Sequence, residues 1–127
     1  MQLTSAFRFG CFVNVLAMLV HALFAGEIIS GRSSGITLHL ATAKILVLWS
    51  VLQLLLTISM KLKNLCPQWL VASVAAVLLA EILEFALGET NHLVLHVPLA
   101  VAIFGGAIRQ LLWTMQMRSR VAMEETR

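Results

Sequence analysis

The chain has 127 residues, 60% of them hydrophobic and 12% charged, with a net charge of +3 and no tyrosine. A soluble domain averages about half apolar and about a quarter charged residues, so this composition describes an integral membrane protein with no room for a separate soluble domain. The basic residues collect at chain ends and in short polar links, where they report orientation in a bilayer rather than a nucleic-acid partner. Cys11 and Cys66 have no CxxC or CxxCH setting, which argues against covalent haem c, a thioredoxin-like site or a zinc knuckle.

Four apolar segments, at roughly 8–29, 37–60, 68–88 and 93–115, each approach the ~20 residues that cross a bilayer. The first lacks a small-x-small cleavage site and is expected to remain a helix rather than a signal peptide. Gly31-Arg32-Ser33-Ser34-Gly35 turns the chain between the first two segments. Lys61-Leu62-Lys63-Asn64, with Pro67 beyond, separates the second from the third, and Gly88-Glu89-Thr90-Asn91 links the third to the fourth. Such short links make neighbouring helices antiparallel, so the expected fold is an all-α, four-helix, up-down transmembrane bundle forming a single domain.

Arg8, the pair Lys61 and Lys63, and the tail residues Arg118, Arg120 and Arg127 share one side of the membrane, against Arg32 on the other. The excess places both termini in the cytoplasm of a cell whose inner (plasma) membrane holds the protein. Trp69 and Trp113 fall near the cytoplasmic ends of their segments, as interfacial tryptophans do. The tail from Met117 to Arg127 is expected to be a frayed helix on that face.

A shift of 57 positions superposes the second half of the chain on the first: Glu27 on Glu84, Gly31 on Gly88, His39 on His96, Ala43 on Ala100, and Gln53-Leu54-Leu55 on Gln110-Leu111-Leu112. Glu, His and Gln are scarce here, so their coincidence carries the pattern. The chain reads as two tandem copies of a two-helix hairpin, at about 8–60 and 65–115. A direct repeat of an even number of spans relates its halves by a pseudo-twofold axis along the membrane normal. One face of the second helix then runs His39, Ala43, Leu46, Ser50, Gln53, and the matching face of the fourth runs His96, Ala100, Ile103, Ala107, Gln110. These faces should meet across the axis.

Two imidazoles from facing helices, each with a small residue (Ala43, Ala100) one turn below, suit a flat macrocycle held without covalent attachment, which is haem b. As ligands they must be neutral, each donating its second ring N–H to an acceptor. Carbonyls of the adjoining turns, Glu27 or Glu84 can accept. Arg32, Thr90 and Asn91 can hold propionates. The plainer alternative is that both histidines only anchor helix ends. His92 and His96 are four apart, and with His39 they could instead make a copper or zinc site, although Gly35 takes the place of His92 in the first copy. His21 reads as a single packed, hydrogen-bonded histidine.

An acid at the bilayer centre costs roughly 2.5–3.5 kcal/mol on insertion scales. Glu27 and Glu84 lie near the helix ends, whereas Glu81 is about a turn deeper and is the better candidate for a neutral acid, in a structural or a proton-conducting role. Lys44 could pair with one of these acids if it faced inward. Gly105-Gly106 allows close helix approach, and the cysteines read as packed, reduced thiols.

With four spans and histidines His39 and His96 on the second and fourth, the chain resembles one half of haem A synthase and the small bacterial four-span proteins similar to it. It is more distantly similar to cytochrome b561-type proteins. The resemblance covers most of residues 8–115 and implies a bis-histidine haem b site. That family has eight spans and an extracellular cysteine pair, both missing here, so haem A synthesis is not implied. The expected function is electron transfer, or service as the haem subunit of a larger membrane complex or homo-oligomer. The alternatives are a cofactor-free accessory subunit of a membrane enzyme, or a small proton or ion transporter using the acids.

Overall fold

A computed structural model describes residues 2–125, with side chains described through residue 117. Arg127 therefore lies outside the described residues, as do the side chains of Arg118 and Arg120. The chain forms four helices, α1 (Gln2–Ile29), α2 (Ser34–Leu62), α3 (Gln68–Glu89) and α4 (Leu93–Glu125). All four are long and apolar enough to cross a membrane. The protein is an all-α, multi-pass membrane bundle.

Helices α1 and α4 outrun the expected segments. At the start of α1, Phe7 is fully buried and meets Trp113 edge-on at 6.5 Å, so packing holds helix where apolarity alone is weak. The backbone of α4 stays helical through Glu125, covering most of the tail expected to fray.

The helix ends follow from three near-identical caps. Gly31, Asn64 and Asn91 adopt left-handed backbone conformations, with φ of 79°, 55° and 57°. After each, the next N–H reaches five residues back: Arg32 to Glu27, Leu65 to Met60 and His92 to Leu87, at 2.9–3.0 Å. This closure satisfies carbonyls that a helix C-terminus leaves free. Only one cap uses glycine. Gly88, the repeat partner of Gly31, lies inside α3 instead, because Asn91 supplies the turn.

Each helix packs on two neighbours, α1 on α2 and α4, and α3 on α2 and α4, while the diagonal pairs keep their backbones apart. The inner faces of α2 and α4 thus oppose each other across the axis. Their burial matches step for step: His39 and His96 half-buried, Ala43 and Ala100 half-buried, then Leu46, Ser50 and Gln53 buried opposite Ile103, Ala107 and Gln110. The match continues into buried Thr57 and Thr114, also 57 apart. Each threonine hydroxyl donates to a carbonyl of its own helix.

Polarity is inverted relative to a soluble bundle. Phe9, Leu23, Leu48, Leu79 and Val101 point outward, whereas Asn14, Ser50, Gln53, Thr57, Glu81 and Gln110 are buried. Lipid is as apolar as leucine, so the outward side chains lose nothing there, and interhelical packing and hydrogen bonds hold the helices together. Trp49 donates its indole N–H to the Gly10 carbonyl at 3.1 Å, and Gln110 donates to Ser73 at 3.3 Å. At the end carrying the α2–α3 link, Trp69 and Trp113 meet edge-on at 6.1 Å, with the Arg109 guanidinium 5.0 Å from the Trp69 ring centre. Cys11 and Cys66 are buried free thiols in the same region.

Candidate functional site

At the opposite end, beneath the α1–α2 and α3–α4 turns, three imidazoles converge. His39 and His96 come from the diagonal helices, with ring centres 6.3 Å apart and planes inclined at 65°. His21, from α1, stacks on His39 with centres 3.8 Å apart and planes within 15°.

The hydrogen bonds set the tautomers. His39 Nδ1 lies 3.2 Å from the His21 carbonyl, and His96 Nδ1 lies 3.0 Å from the Glu84 carbonyl. A carbonyl oxygen only accepts, so Nδ1 carries the proton in both rings. In the neutral form each therefore presents a bare Nε2. His21 Nδ1 meets Thr42 Oγ1 at 2.7 Å, and that hydroxyl spends its own hydrogen on the Leu38 or His39 carbonyl. His21 is accordingly the donor, and its Nε2 too keeps a lone pair. Backbone carbonyls, rather than Glu27 or the Glu84 side chain, orient the rings.

The two halves are not used identically. His39 bonds a carbonyl 18 residues earlier, His96 one only 12 residues earlier. Gly88 lies against the His96 ring: a methyl group there would stand 3.1 Å from His96 Cε1. The absence of that methyl lets the ring settle against α3. The Glu84 carboxylate also approaches His96 Nε2 at 3.7 Å, both side chains being largely buried.

The remaining sequence-predicted residues divide clearly. Ala43 and Ala100 lie half-buried one turn below the rings. Arg32 is exposed and pairs with Glu27 at 3.2 Å. His92 is exposed on its turn, and Lys44 faces outward, so the condition for its pairing with an acid is not met. Among the described residues, no group of three or more His, Cys, Asp or Glu side chains is placed to hold a metal ion by itself. The copper or zinc site with His92 therefore has no cluster behind it. Glu81 is buried, and neither of its oxygens has a hydrogen-bond partner.

The hydrogen bond expected of a packed His21 is present, to Thr42, whereas its stacking on His39 and the part of Thr42 were missed by sequence reasoning. A signal existed: folding the first hairpin about Gly31–Ser33 brings residue 21 opposite residues near 42. Comparison with protein-family models, curated proteins and solved structures returns no match for this chain.

Proposed function

We propose that the protein is a membrane-embedded haem b protein in which His39 and His96 would hold the haem iron. The observation that carries this reading is the meeting of those two rings from opposed helices, each with Nδ1 committed to a backbone carbonyl. Carbonyl anchoring is the usual way a metal-bound imidazole is oriented and kept neutral. The ring centres, 6.3 Å apart, are close enough for both imidazoles to hold one centre. The donor set fits: two neutral nitrogens, apolar surroundings, and no cysteine pair for covalent attachment. A macrocycle brings its own four nitrogens, so two protein ligands suffice.

When bound, haem b supplies one-electron exchange at a potential set by its axial ligands and burial. The chain's own residues hold and orient it. His21 backs His39 by stacking, Thr42 fixes His21, and Gly88 makes room for His96. Ala43 and Ala100 are the small side chains one turn below the rings. Arg32, beside the turn, is the cation available to a carboxylate at the surface. Little of the chain lies outside the membrane, which favours electron transfer, or a haem subunit in a larger complex or homo-oligomer, over a self-standing enzyme. The basic residues at the other end support a topology with both termini in the cytoplasm and this site near the outer surface of the plasma membrane.

The test is an absorption spectrum of the detergent-purified protein, reduced minus oxidised, after expression with added haem precursor. A Soret band with the reduced α and β bands of a six-coordinate b-type centre is expected. His39→Ala or His96→Ala should each lower bound haem at least tenfold, and a surface change such as Lys44→Ala should not. Haem retained in both histidine variants, or no Soret band in the wild type, would end the proposal.

A further inference from the structure

Below the histidines, three buried side chains from three helices turn unpartnered oxygens toward the bundle interior. Both oxygens of Glu81 on α3, the Ser50 hydroxyl on α2 and Oδ1 of Asn14 on α1 have no hydrogen-bond partner. Their residues are 6%, 1% and 2% exposed. Ser50 is close enough to the Glu81 carboxyl to interact with it. The α1–α2 register, fixed by Trp49 on Gly10 and His21 on Thr42, brings Asn14 to the depth of Ser50 within about a turn. Buried polar groups without partners are rare in folded proteins, and each calls for a cause.

We propose that Glu81, Ser50 and Asn14 form a binding site for a monovalent alkali cation in the middle of the membrane. Four oxygens and no nitrogen or sulfur make a donor set for a hard cation. One carboxylate supplies one negative charge, so a monovalent ion leaves the site neutral, whereas a divalent ion would leave an uncompensated charge in a medium where that is costly. Protonated Glu81 and Ser50 bring two hydrogens, enough to engage the four oxygens when no ion is bound, and an incoming cation takes the place of the carboxyl proton among them.

Binding to the protonated site is an exchange: the cation enters on the carboxylate oxygens and the carboxyl proton leaves to solvent, one for one. The titratable groups on the inner helix faces around it are His21 and Cys11 on α1, His39 on α2, Glu84 on α3 and His96 on α4. Of these, Glu84 bears on Glu81 electrostatically. The proposal stands independently of haem.

The experiment uses the full chain in detergent, melted at constant ionic strength in lithium, sodium, potassium or choline chloride at several pH values. At least one alkali cation should raise the melting midpoint by several degrees over choline. The rise should grow with cation concentration and with pH, and cation addition in weak buffer should release about one proton per protein. Glu81→Gln should remove the cation response and the proton release. Should that variant fail to fold, Ser50→Ala and Asn14→Ala test the same point, each weakening the response at least fivefold. Equal midpoints in choline and in all three alkali salts would overturn the proposal. So would an undiminished response in Glu81→Gln, or a larger response to calcium than to any alkali ion. A Soret band with no cation response sinks this inference alone, and a cation response without a Soret band sinks the haem reading alone.

Discussion

The smallest change that probes the histidine cluster is Gly88→Ala. Its added methyl would stand 3.1 Å from His96 Cε1, within ordinary van der Waals separation, so the ring must move. Because Gly88 is helical, alanine itself is favoured there by up to ~1 kcal/mol. The expected outcome is an intact bundle by circular dichroism with haem uptake reduced several-fold, read from the Soret absorbance per protein. Cys66 gives a pH-dependent test. It lies in the α2–α3 link, where burial pushes the thiol up and Lys61 partly opposes that. The folded chain therefore keeps a proton that the unfolded chain loses near the ordinary thiol range of about 8–9. The unfolded state then binds fewer protons, so this residue's contribution is intact below that range and falls as pH rises through it. Melting midpoints between about pH 8 and about 10 should drop more steeply in the wild type than in Cys66→Ala. Among individual residues, His39 and His96 were legible because scarce residue types recur at one spacing. His21, Thr42 and Asn14 were not, since they have no counterparts in the other copy. They matter only once the register of α1 against α2 is known.

The helices end where left-handed residues allow the chain to turn, and two of the three are asparagine. Replacing Asn91 by alanine should cost ~1–2 kcal/mol, since a β-carbon is disfavoured in that conformation and alanine lacks asparagine's local hydrogen bonding. Asn91→Gly should be neutral within about 0.5 kcal/mol. Reversible unfolding in mixed detergent micelles would measure both. This is also where reading by element departed from the structure. The glycines at 31 and 88 align in the repeat and invite the same role, yet one ends a helix and the other seats a ring. Apolar periodicity carries no information on that choice, which depends on whether a later residue, here Asn91, can take over the turn. The early start of α1 was hidden for a similar reason. Phe7 is held by Trp113, a partner over 100 positions away, and no local pattern reports such a contact.

At the scale of the whole molecule, the four spans and their ring order agree with what composition, short links and the 57-residue spacing led one to expect. The inner faces of α2 and α4 were therefore legible residue by residue in the sequence. Sidedness is a separate property, set by the charges outside the bundle. A cysteine placed at Ser33 should react with a membrane-impermeant maleimide on intact cells, and one at Lys63 only after lysis; the reverse pattern would invert the topology. The interior pairing is less symmetric than the sequence, for the two rings take their carbonyls from different places. A lone hairpin dimerising with itself would be bound to treat both its copies alike, and two hairpins on one polypeptide are not. One imidazole has a stacked neighbour and the other an acidic one, which makes the two faces of anything held between them chemically distinguishable.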